Sequence, residues 1–314
     1  MRMRLRGKCL LVILVMALLV ACRSAPPTPV PTATPTATPT PEPLEFDGER
    51  AYEHVLAQCD FGFRPTGSEA WRATGDYIIA TLQAQGWAVE TQEFPYRGVT
   101  VRNIIGKAGQ GKPVIIGAHY DTRLRADQDP TDPATPVMGA NDGASGVAVL
   151  LELARVLDRD KLHHEVWLTF FDAEDNGGLD GWEWIVGSTY MAEHLTVRPE
   201  FVIVVDMIGD AEQQIYKERN SDAALQDRLW AIAADLGYGD FFIPEYKWAM
   251  FDDHTPFAKR GIVAVDIIDF DYPYWHTTQD TPDKVSAASL EHVGRVVEVL
   301  LEGERNIKRS EDNQ

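Results

Sequence analysis

The sequence predicts an α/β fold, in which one globular domain is built on a central sheet flanked by helices on both faces. Predicted strands alternate with predicted helices along residues 44–314. The strands are nearly continuous apolar runs, such as PVIIGAH within 112–119 and EFVIVVD within 199–206. A strand of this kind is typical of a sheet whose two faces are both covered by helices, because neither of its sides meets water.

Each element has its own signal along the chain. Residues 48–59 and 68–86 are predicted to be helices, and the second begins after the capping sequence Thr66-Gly67-Ser68 and ends at Gly86. Residues 87–95 and 100–107 alternate polar and apolar side chains, as half-buried strands do. Apolar runs predict four more strands and helical spacing predicts four more helices. These strands are 112–119, 165–172, 199–206 and 261–268, and these helices are 143–157, 182–195, 223–236 and 287–301.

The first 43 residues have a different composition from the rest. Four basic residues and a short apolar run predict a secretory signal over residues 1–21, and the run is too short for a comfortable membrane span. The sequence LVAC at 19–22 resembles the lipobox of bacterial lipoproteins, which implies a lipid on Cys22; a plain signal peptide is the alternative. Residues 22–43 are Pro- and Thr-rich and are predicted to be an extended linker, leaving 44–314 as the catalytic domain. We therefore expect a secreted protein that is lipid-anchored at Cys22 to the outer face of a bacterial membrane.

Composition limits the classes of function. The chain has 314 residues, and its 29 Lys and Arg against 48 Asp and Glu give a formal net charge of −19. This balance argues against nucleic-acid binding, because too few cations are available to neutralise a run of phosphates. It also disfavours adsorption to an anionic membrane, so membrane contact is expected only through the lipid anchor. Cys59 is the one cysteine of the globule, which predicts no disulfide within it and favours a core role over a nucleophilic one.

Polar residues with chemical potential follow the predicted strands. Because ligands of open α/β sheets bind at the carboxyl ends of the strands, we expect these side chains to converge. They are His119 and Asp121, then Asp172, Glu174 and Asp175, then Asp206, and finally Asp266.

Several of these residues fit a metal site, although each has a simpler alternative. Asp142 precedes a helix, where it could cap the helix or reach a metal. With one carboxylate from a strand end and with His276 it makes three N/O ligands, the number found in a catalytic zinc site with one open position. His119 and Asp206 would supply a second metal with Asp142 bridging, although His119 could equally be a hydrogen-bonded histidine at a strand end.

The roles of two further acidic positions have more than one interpretation. Glu174 is adjacent to Asp175 on an extended segment, so the two side chains should point apart. One of them could bind a cation while its neighbour moves protons, and a solvated acidic loop is the alternative. Asp253 is expected to cap the helix that follows it.

Six segments carry a resemblance to a known superfamily. They are AHYDT at 118–122, GANDGASGV at 139–147, FFDAED at 170–175, DMIG at 206–209, DDHTPF at 252–257 and WHTT at 275–278. The six segments span nearly the whole globule, and in sequence and order they resemble the zinc aminopeptidase and glutaminyl cyclase superfamily. The segment FRPTGS at 63–68 resembles the amino-terminal stretch of the same superfamily. The resemblance implies a mixed, mostly parallel central sheet.

The resemblance also implies a role for each matching residue. Asp142, Asp175 and His276 would hold zinc, and Glu174 would shuttle protons. His119 and Asp206 would hold a second zinc in a peptidase, or would belong to the hydrogen-bond network of a one-zinc cyclase.

Three details are closer to bacterial glutaminyl cyclases than to peptidases. Asp252 stands where peptidases of this group usually have Ser, and in cyclases this acid contacts the substrate. Trp275 directly precedes the ligand histidine, and Trp184 is similar to the aromatic wall of a cyclase loop. Two departures accompany these details, since animal cyclases have Glu at the position of Asp175 and His at that of Asp266.

The resemblance therefore implies a glutaminyl-peptide cyclotransferase, which converts the amino-terminal Gln of peptides or proteins to pyroglutamate and releases ammonia. One Zn²⁺ is implied for a cyclase. The alternatives are an aminopeptidase with two Zn²⁺ and a non-catalytic binding lipoprotein on the surface.

Overall fold

The computed structural model describes residues 45–303. The predicted signal, the predicted lipidation site Cys22 and the predicted linker lie outside the described residues. The helices are α1 (Gly48–Asp60), α2 (Glu69–Ala84), α3 (Ala144–Val156), α4 (Val186–Glu193), α5 (Ala223–Asp235), α6 (Thr255–Lys259) and α7 (Ala287–Glu302). The strands are β1 (Ala88–Tyr96), β2 (Val99–Gly109), β3 (Pro113–His119), β4 (Glu165–Phe171), β5 (Phe201–Asp206), β6 (Ile215–Lys217), β7 (Phe242–Tyr246) and β8 (Val263–Ile268).

Six strands form one mixed sheet in the order β1-β2-β4-β3-β5-β8. The four strands β4, β3, β5 and β8 are parallel to one another. The hairpin of β1 and β2 joins them antiparallel, through the pairing of β2 with β4. The predicted α/β fold with a mixed, mostly parallel sheet is therefore confirmed, and the carboxyl ends of the four parallel strands share one edge.

The two faces of the sheet bury alternate residues of each strand. On β3, Val114 and Ile116 belong to the larger core cluster, which also contains apolar residues of α1, α3 and α7. Ile115 belongs to a second cluster, with Met191 of α4 and Phe257 of α6. This alternation is the period of two that a pleated strand imposes, and it explains why the strand is apolar on both sides. Within residues 45–303, no helix is both long and apolar enough to cross a membrane.

Local sequence sets several boundaries as expected. The carboxylate of Asp47 accepts hydrogen bonds from the backbone N–H groups of Glu49 and Arg50 at the start of α1. The hydroxyl of Ser68 accepts one from Trp71 N–H at the start of α2, as the capping sequence predicts.

The region after β4 differs from prediction. The predicted helix over 182–195 is wrong in its first turn, because α4 begins only at Val186. Residues 178–185 turn back instead, and the N–H of Ile185 donates to the carbonyl of Glu174 at 3.1 Å. Ile185 has the left-handed φ of 54°, which interrupts a helix. The parallel pair β6 and β7 is also absent from the prediction, because strands of three and five residues carry little periodic signal.

Candidate active site

The strand ends bring the predicted residues together as expected. His119 is the last residue of β3 and Asp206 the last of β5. Glu174 and Asp175 follow β4, while Asp142 precedes α3 and His276 follows β8 at a distance. All six side chains lie in two overlapping groups or on the wall of one cavity.

Asp142, Asp175 and His276 form the first group. Nε2 of His276 lies 2.8 Å from Oδ1 of Asp175 and 3.6 Å from Oδ2 of Asp142. Donor atoms of all three lie within 4.8 Å of one another, and all three side chains are buried. Three converging N/O donors are a suitable set for a catalytic zinc ion.

His119 and Asp206 form a second group, which shares Asp142 with the first. Nε2 of His119 lies 2.9 Å from Oδ1 of Asp142 and 3.1 Å from Oδ1 of Asp206. Since the two oxygens of Asp142 face the two histidines, this carboxylate stands between both groups. The arrangement offers ligands for one cation or for two.

Two observations show that a cation fits these residues. Oδ2 of Asp175 is buried and has no hydrogen-bond partner among residues 45–303. In addition, burial and the nearby charge of Asp142 raise the pKa of Asp175 to about 6. Buried carboxylates that repel each other are stabilised by a bound cation, and the mixture of carboxylate and imidazole donors suits zinc.

The contacts of His119 affect the pKa of the two carboxyl groups beside it, those of Asp142 and Asp206. Burial by itself raises the pKa of Asp142, but the hydrogen bond and charge of His119 outweigh this effect and keep the pKa below its ordinary value. Burial also raises the pKa of Asp206, and there it prevails over His119. Of the two carboxyl groups beside His119, that of Asp142 therefore ionises more readily than that of Asp206.

Backbone N–H groups of the acidic turns are held by buried carboxylates. Oδ1 of Asp121 accepts from Glu174 N–H at 3.0 Å, and its Oδ2 accepts from Asp175 N–H at 3.3 Å. Asp280, which the sequence analysis did not identify, accepts from the N–H of Asn141 and of Asp142 at 2.8 and 3.1 Å. These bonds fix the turns that present the candidate ligands.

Asp142 does not cap α3, so that alternative is removed. The capping position is Gly143, which makes no side-chain cap bond and has a φ of 97°. A Cβ atom at Gly143 would lie 2.9 Å from the carbonyl oxygen of Asp121 and 3.2 Å from Cε1 of His119. Glycine is therefore required beside Asp142 both for conformation and for space.

Non-glycine residues with left-handed backbone concentrate at this site. Ala173 precedes Glu174, Met207 follows Asp206 and Ile185 follows Trp184, and each has a φ between 46° and 57°. His276 itself has a φ of 54°. Such conformations cost free energy and persist where surrounding contacts enforce them, which is typical of functional sites.

Glu174 and Asp252 are buried acids on the wall of the cavity. Burial, with the charges of Asp175 and Asp252, holds the pKa of Glu174 well above its ordinary value. Burial and the charge of Asp206 raise the pKa of Asp252 to about 7. The raised pKa of each carboxyl group suits it to take up and return a proton.

A cavity of about 190 Å³ opens over these groups. Trp184 and Trp275 line it, and the ring of His276 stacks on both, at 5.9 Å from the ring of Trp184 and 3.8 Å from that of Trp275. The sequence analysis identified both tryptophans but missed five other lining residues. These are Met207, Met250, Phe251, Ile268 and Phe270. Phe251 had one usable signal, since it directly precedes the DDH motif.

Three predicted polar residues have other surroundings. Asp253 does not cap α6: the capping position is His254, without a side-chain cap bond, and Asp253 is wholly buried beside Ser188. The prediction of a cap was wrong because α6 begins at Thr255, which puts His254 and not Asp253 at the capping position. Asp266 faces Nδ1 of His254 at 3.7 Å, and Asp172 accepts hydrogen bonds from Thr66 Oγ1 and Trp71 Nε1, so neither lines the cavity.

Known proteins resemble this chain along most of its length. The model of peptidase family M28 matches residues 101–301. Porphyromonas gingivalis glutaminyl cyclase superposes with a TM-score of 0.77 at 35% identity, covering 82% of this chain and 98% of that one. A leucine aminopeptidase precursor from Bacteroides thetaiotaomicron superposes with a TM-score of 0.79 at 32% identity, covering 84% of this chain and 100% of that one.

A comparison by sequence also finds a glutaminyl-peptide cyclotransferase among the relatives. Glutaminyl-peptide cyclotransferase of the snake Boiga irregularis is 26% identical over 281 residues, which cover 75% of each chain. Structures of a glutaminyl cyclase and of a leucine aminopeptidase precursor therefore both share the fold that places the acids and histidines of this site. Since the family model covers more than half of the chain and includes every candidate ligand, this protein belongs to peptidase family M28.

Proposed function

We propose that this protein is a zinc-dependent glutaminyl-peptide cyclotransferase, which converts amino-terminal Gln to pyroglutamate and releases ammonia. The observation that carries the proposal is the small cavity, in which two tryptophans stack with the ring of His276 and share the cavity wall with Asp142 and Asp175. A cavity of about 190 Å³ has room for one amino-acid side chain. The several bacterial glutaminyl cyclases among the structural relatives support the proposal.

Asp142, Asp175 and His276 would hold the zinc ion. When bound, zinc supplies Lewis-acid polarisation of the γ-carboxamide carbonyl and so makes its carbon electrophilic. The remaining chemistry belongs to the side chains around the cavity.

Glu174 would act as base and then as acid. As the α-amine attacks the carbonyl carbon of this carboxamide (Cδ of the Gln), a new C–N bond forms, and Glu174 accepts the proton that the amine loses. When the bond to the amide nitrogen breaks, Glu174 returns that proton and ammonia leaves. Asp252 would hold the leaving nitrogen by a hydrogen bond. Trp184 and Trp275 would exclude water, which favours cyclisation over hydrolysis of the amide.

The aminopeptidase alternative also has a structural basis. His119 and Asp206, with the shared Asp142, offer a second set of ligands, as a site with two zinc ions needs. In that case Glu174 would activate a water molecule. The third alternative, a binding lipoprotein without catalysis, has less support, because both ligand groups and the buried acid are intact.

One incubation distinguishes these functions. The purified protein is mixed with a Gln-initiated peptide, a matched Ala-initiated peptide serves as control, and the products are analysed by mass spectrometry. The cyclase proposal predicts loss of one ammonia from the Gln peptide alone, without shortening, and this activity disappears with a chelator and returns with zinc. Release of the first residue from either peptide would identify an aminopeptidase. The metal content supplies a second test, with about one zinc per chain for a cyclase and two for a peptidase.

We also propose that the enzyme acts outside the cell, tethered by a lipid on Cys22. The support is the basic and apolar sequence of residues 1–21 and the Pro- and Thr-rich stretch after Cys22. Substrates in this location would be the exposed amino termini of peptides and proteins.

A further inference from the structure

Arg123 and Asp127, on the loop after β3, make contacts that none of the roles above explains. Arg123 is 3% exposed, and its guanidinium holds the carboxylate of Asp127 by two hydrogen bonds. Nε donates to Oδ1 at 2.6 Å and Nη2 donates to Oδ2 at 2.8 Å. This geometry fixes the position of the carboxylate more firmly than a single bond would.

The same guanidinium reaches the segment that carries Asp175. Its Nη1 donates to the backbone carbonyl of Asp175 at 2.6 Å and to that of Gly177 at 3.3 Å. The guanidinium carbon also lies 4.7 Å from the centre of the Trp184 ring, in a cation–π contact. One buried cation therefore contacts both the acidic turn and the aromatic wall.

Asp127 in turn faces the back of His276. Its Oδ1 lies 3.7 Å from Nδ1 of His276, while Nε2 of that ring faces Asp175 and Asp142. Nδ1 is buried and has no hydrogen-bond partner among residues 45–303. A distance of 3.7 Å is too long for a hydrogen bond, but a movement of less than about 1 Å would make one.

The loop that carries Asp127 is aligned with His276 by two neighbouring contacts. The N–H of Gln128 donates to the carbonyl of His276 at 3.2 Å. Oδ2 of Asp129 accepts from the N–H of Thr278 at 3.0 Å. These bonds hold His276 in its left-handed conformation and keep Asp127 opposite its ring.

We propose that the Arg123–Asp127 pair is a positioning device for the metal site, in which Asp127 orients His276 as a ligand and Arg123 fixes Asp127 to the turn of Asp175. When Nε2 of a histidine holds a metal, its Nδ1 carries the proton and needs an acceptor. A carboxylate in this place sets the direction of the ring and increases its basicity as a ligand. The inference rests on the zinc site of the proposed function and deepens it.

The test measures metal binding rather than turnover. Full-length protein is freed of metal, and the Kd for zinc is determined by competition with a chromogenic chelator. Asp127→Asn should weaken zinc binding about 10- to 100-fold, the usual effect of losing a carboxylate behind a ligand histidine. Asp127→Glu, which keeps the charge, should recover part of the loss and serves as a second variant if the Asn variant does not fold.

Asp180→Asn is the matched control. Asp180 makes the same kind of two-bond pair, with Arg125, two residues from Arg123. That pair is exposed, and the carboxylate of Asp180 is bound by Arg125 on the surface. The control should bind zinc with an unchanged Kd.

Cobalt(II) substitution adds a readout that a merely structural role would not move. The visible absorption bands of bound cobalt depend on ligand geometry, so Asp127→Asn should shift them and Asp180→Asn should not. Wild-type Kd values and unshifted bands in the folded Asp127 variants would overturn the inference while leaving the cyclase proposal intact. A wild-type protein that binds neither metal would remove the zinc site itself, and the inference with it.

Discussion

Replacing Glu174 with Gln tests the chemistry of the site most directly. The backbone N–H of Glu174 donates to Asp121, and this bond does not depend on the side chain. Gln has the same shape as Glu and cannot accept the amine proton. The variant therefore removes proton transfer while leaving the cavity wall in place.

The expected loss follows from the role of a positioned proton carrier. General acid–base catalysis contributes about 100- to 10,000-fold, so kcat should fall by that factor, which corresponds to about 3 to 5 kcal/mol of transition-state stabilisation. Stability should change little, because burial raises the pKa of Glu174 and the metal-free fold already favours a neutral group there. A Tm within about 3 °C of wild type is expected for the metal-free variant.

The assay follows ammonia release from a Gln-initiated peptide at saturating substrate. Glu53→Gln, the same substitution at an exposed position on α1, is the control and should keep wild-type kcat. Zinc content should be equal in all three proteins, since Glu174 is not among the candidate ligands. A Glu174→Gln protein that binds zinc and retains more than about a tenth of the wild-type kcat would refute the assignment.

Three further predictions concern the cavity wall, the fold and the membrane anchor. Trp184→Ala should lower kcat/KM about 10- to 100-fold and allow water to hydrolyse some substrate, because the indole lines the cavity and stacks with the ring of His276. Hydrolysis would convert the amino-terminal Gln to Glu, which mass spectrometry would detect. Absence of this Glu-initiated product would argue against water exclusion by Trp184. Burial lowers the pKa of His54 from 6.5 to about 4, so the folded protein favours the neutral ring. The free energy of unfolding that comes from this preference is complete above pH 6.5 and is lost as the pH falls toward 4. Wild type should therefore lose about 3 kcal/mol more of its unfolding free energy between pH 7 and pH 4 than His54→Gln, as measured by urea denaturation; equal losses in the two proteins would contradict this. Cys22→Ser should move the protein from the membrane pellet to the soluble fraction of a bacterial host, and retention in the pellet would rule out the lipid anchor.

Much of the site could be predicted because its residues lie where local sequence patterns end. His119 and Asp206 close apolar strands, and Glu174 with Asp175 follows another, so the rule of parallel sheets places them at one edge. The sequence left two roles open for Asp142, since a carboxylate before a helix is usually a cap. The positive φ of Gly143 and the absence of a cap bond, both visible only in three dimensions, removed that alternative.

Other parts of the site could not be predicted from local patterns. Phe251 and Phe270 come from separate loops, and nothing in either loop alone indicates a shared cavity. The bonds of Arg123 to Asp127 and to the carbonyl of Asp175 join residues up to 52 positions apart. The turn before α4 likewise depends on a bond between Ile185 and Glu174, so its apparent helical pattern was misleading.

The sequence by itself determined the fold class and the identity of the candidate ligands. Apolar periodicity forces strands and helices into layers, and buried carboxylates at strand ends need a partner such as a cation. Only the tertiary structure decided how the donors combine. It showed that Asp142 stands between two histidines, that two tryptophans flank His276, and that the Arg123–Asp127 pair faces the back of that ring. These relations depend on the packing of distant loops, because the distance between two loops is set by the fold as a whole and not by the sequence of either one.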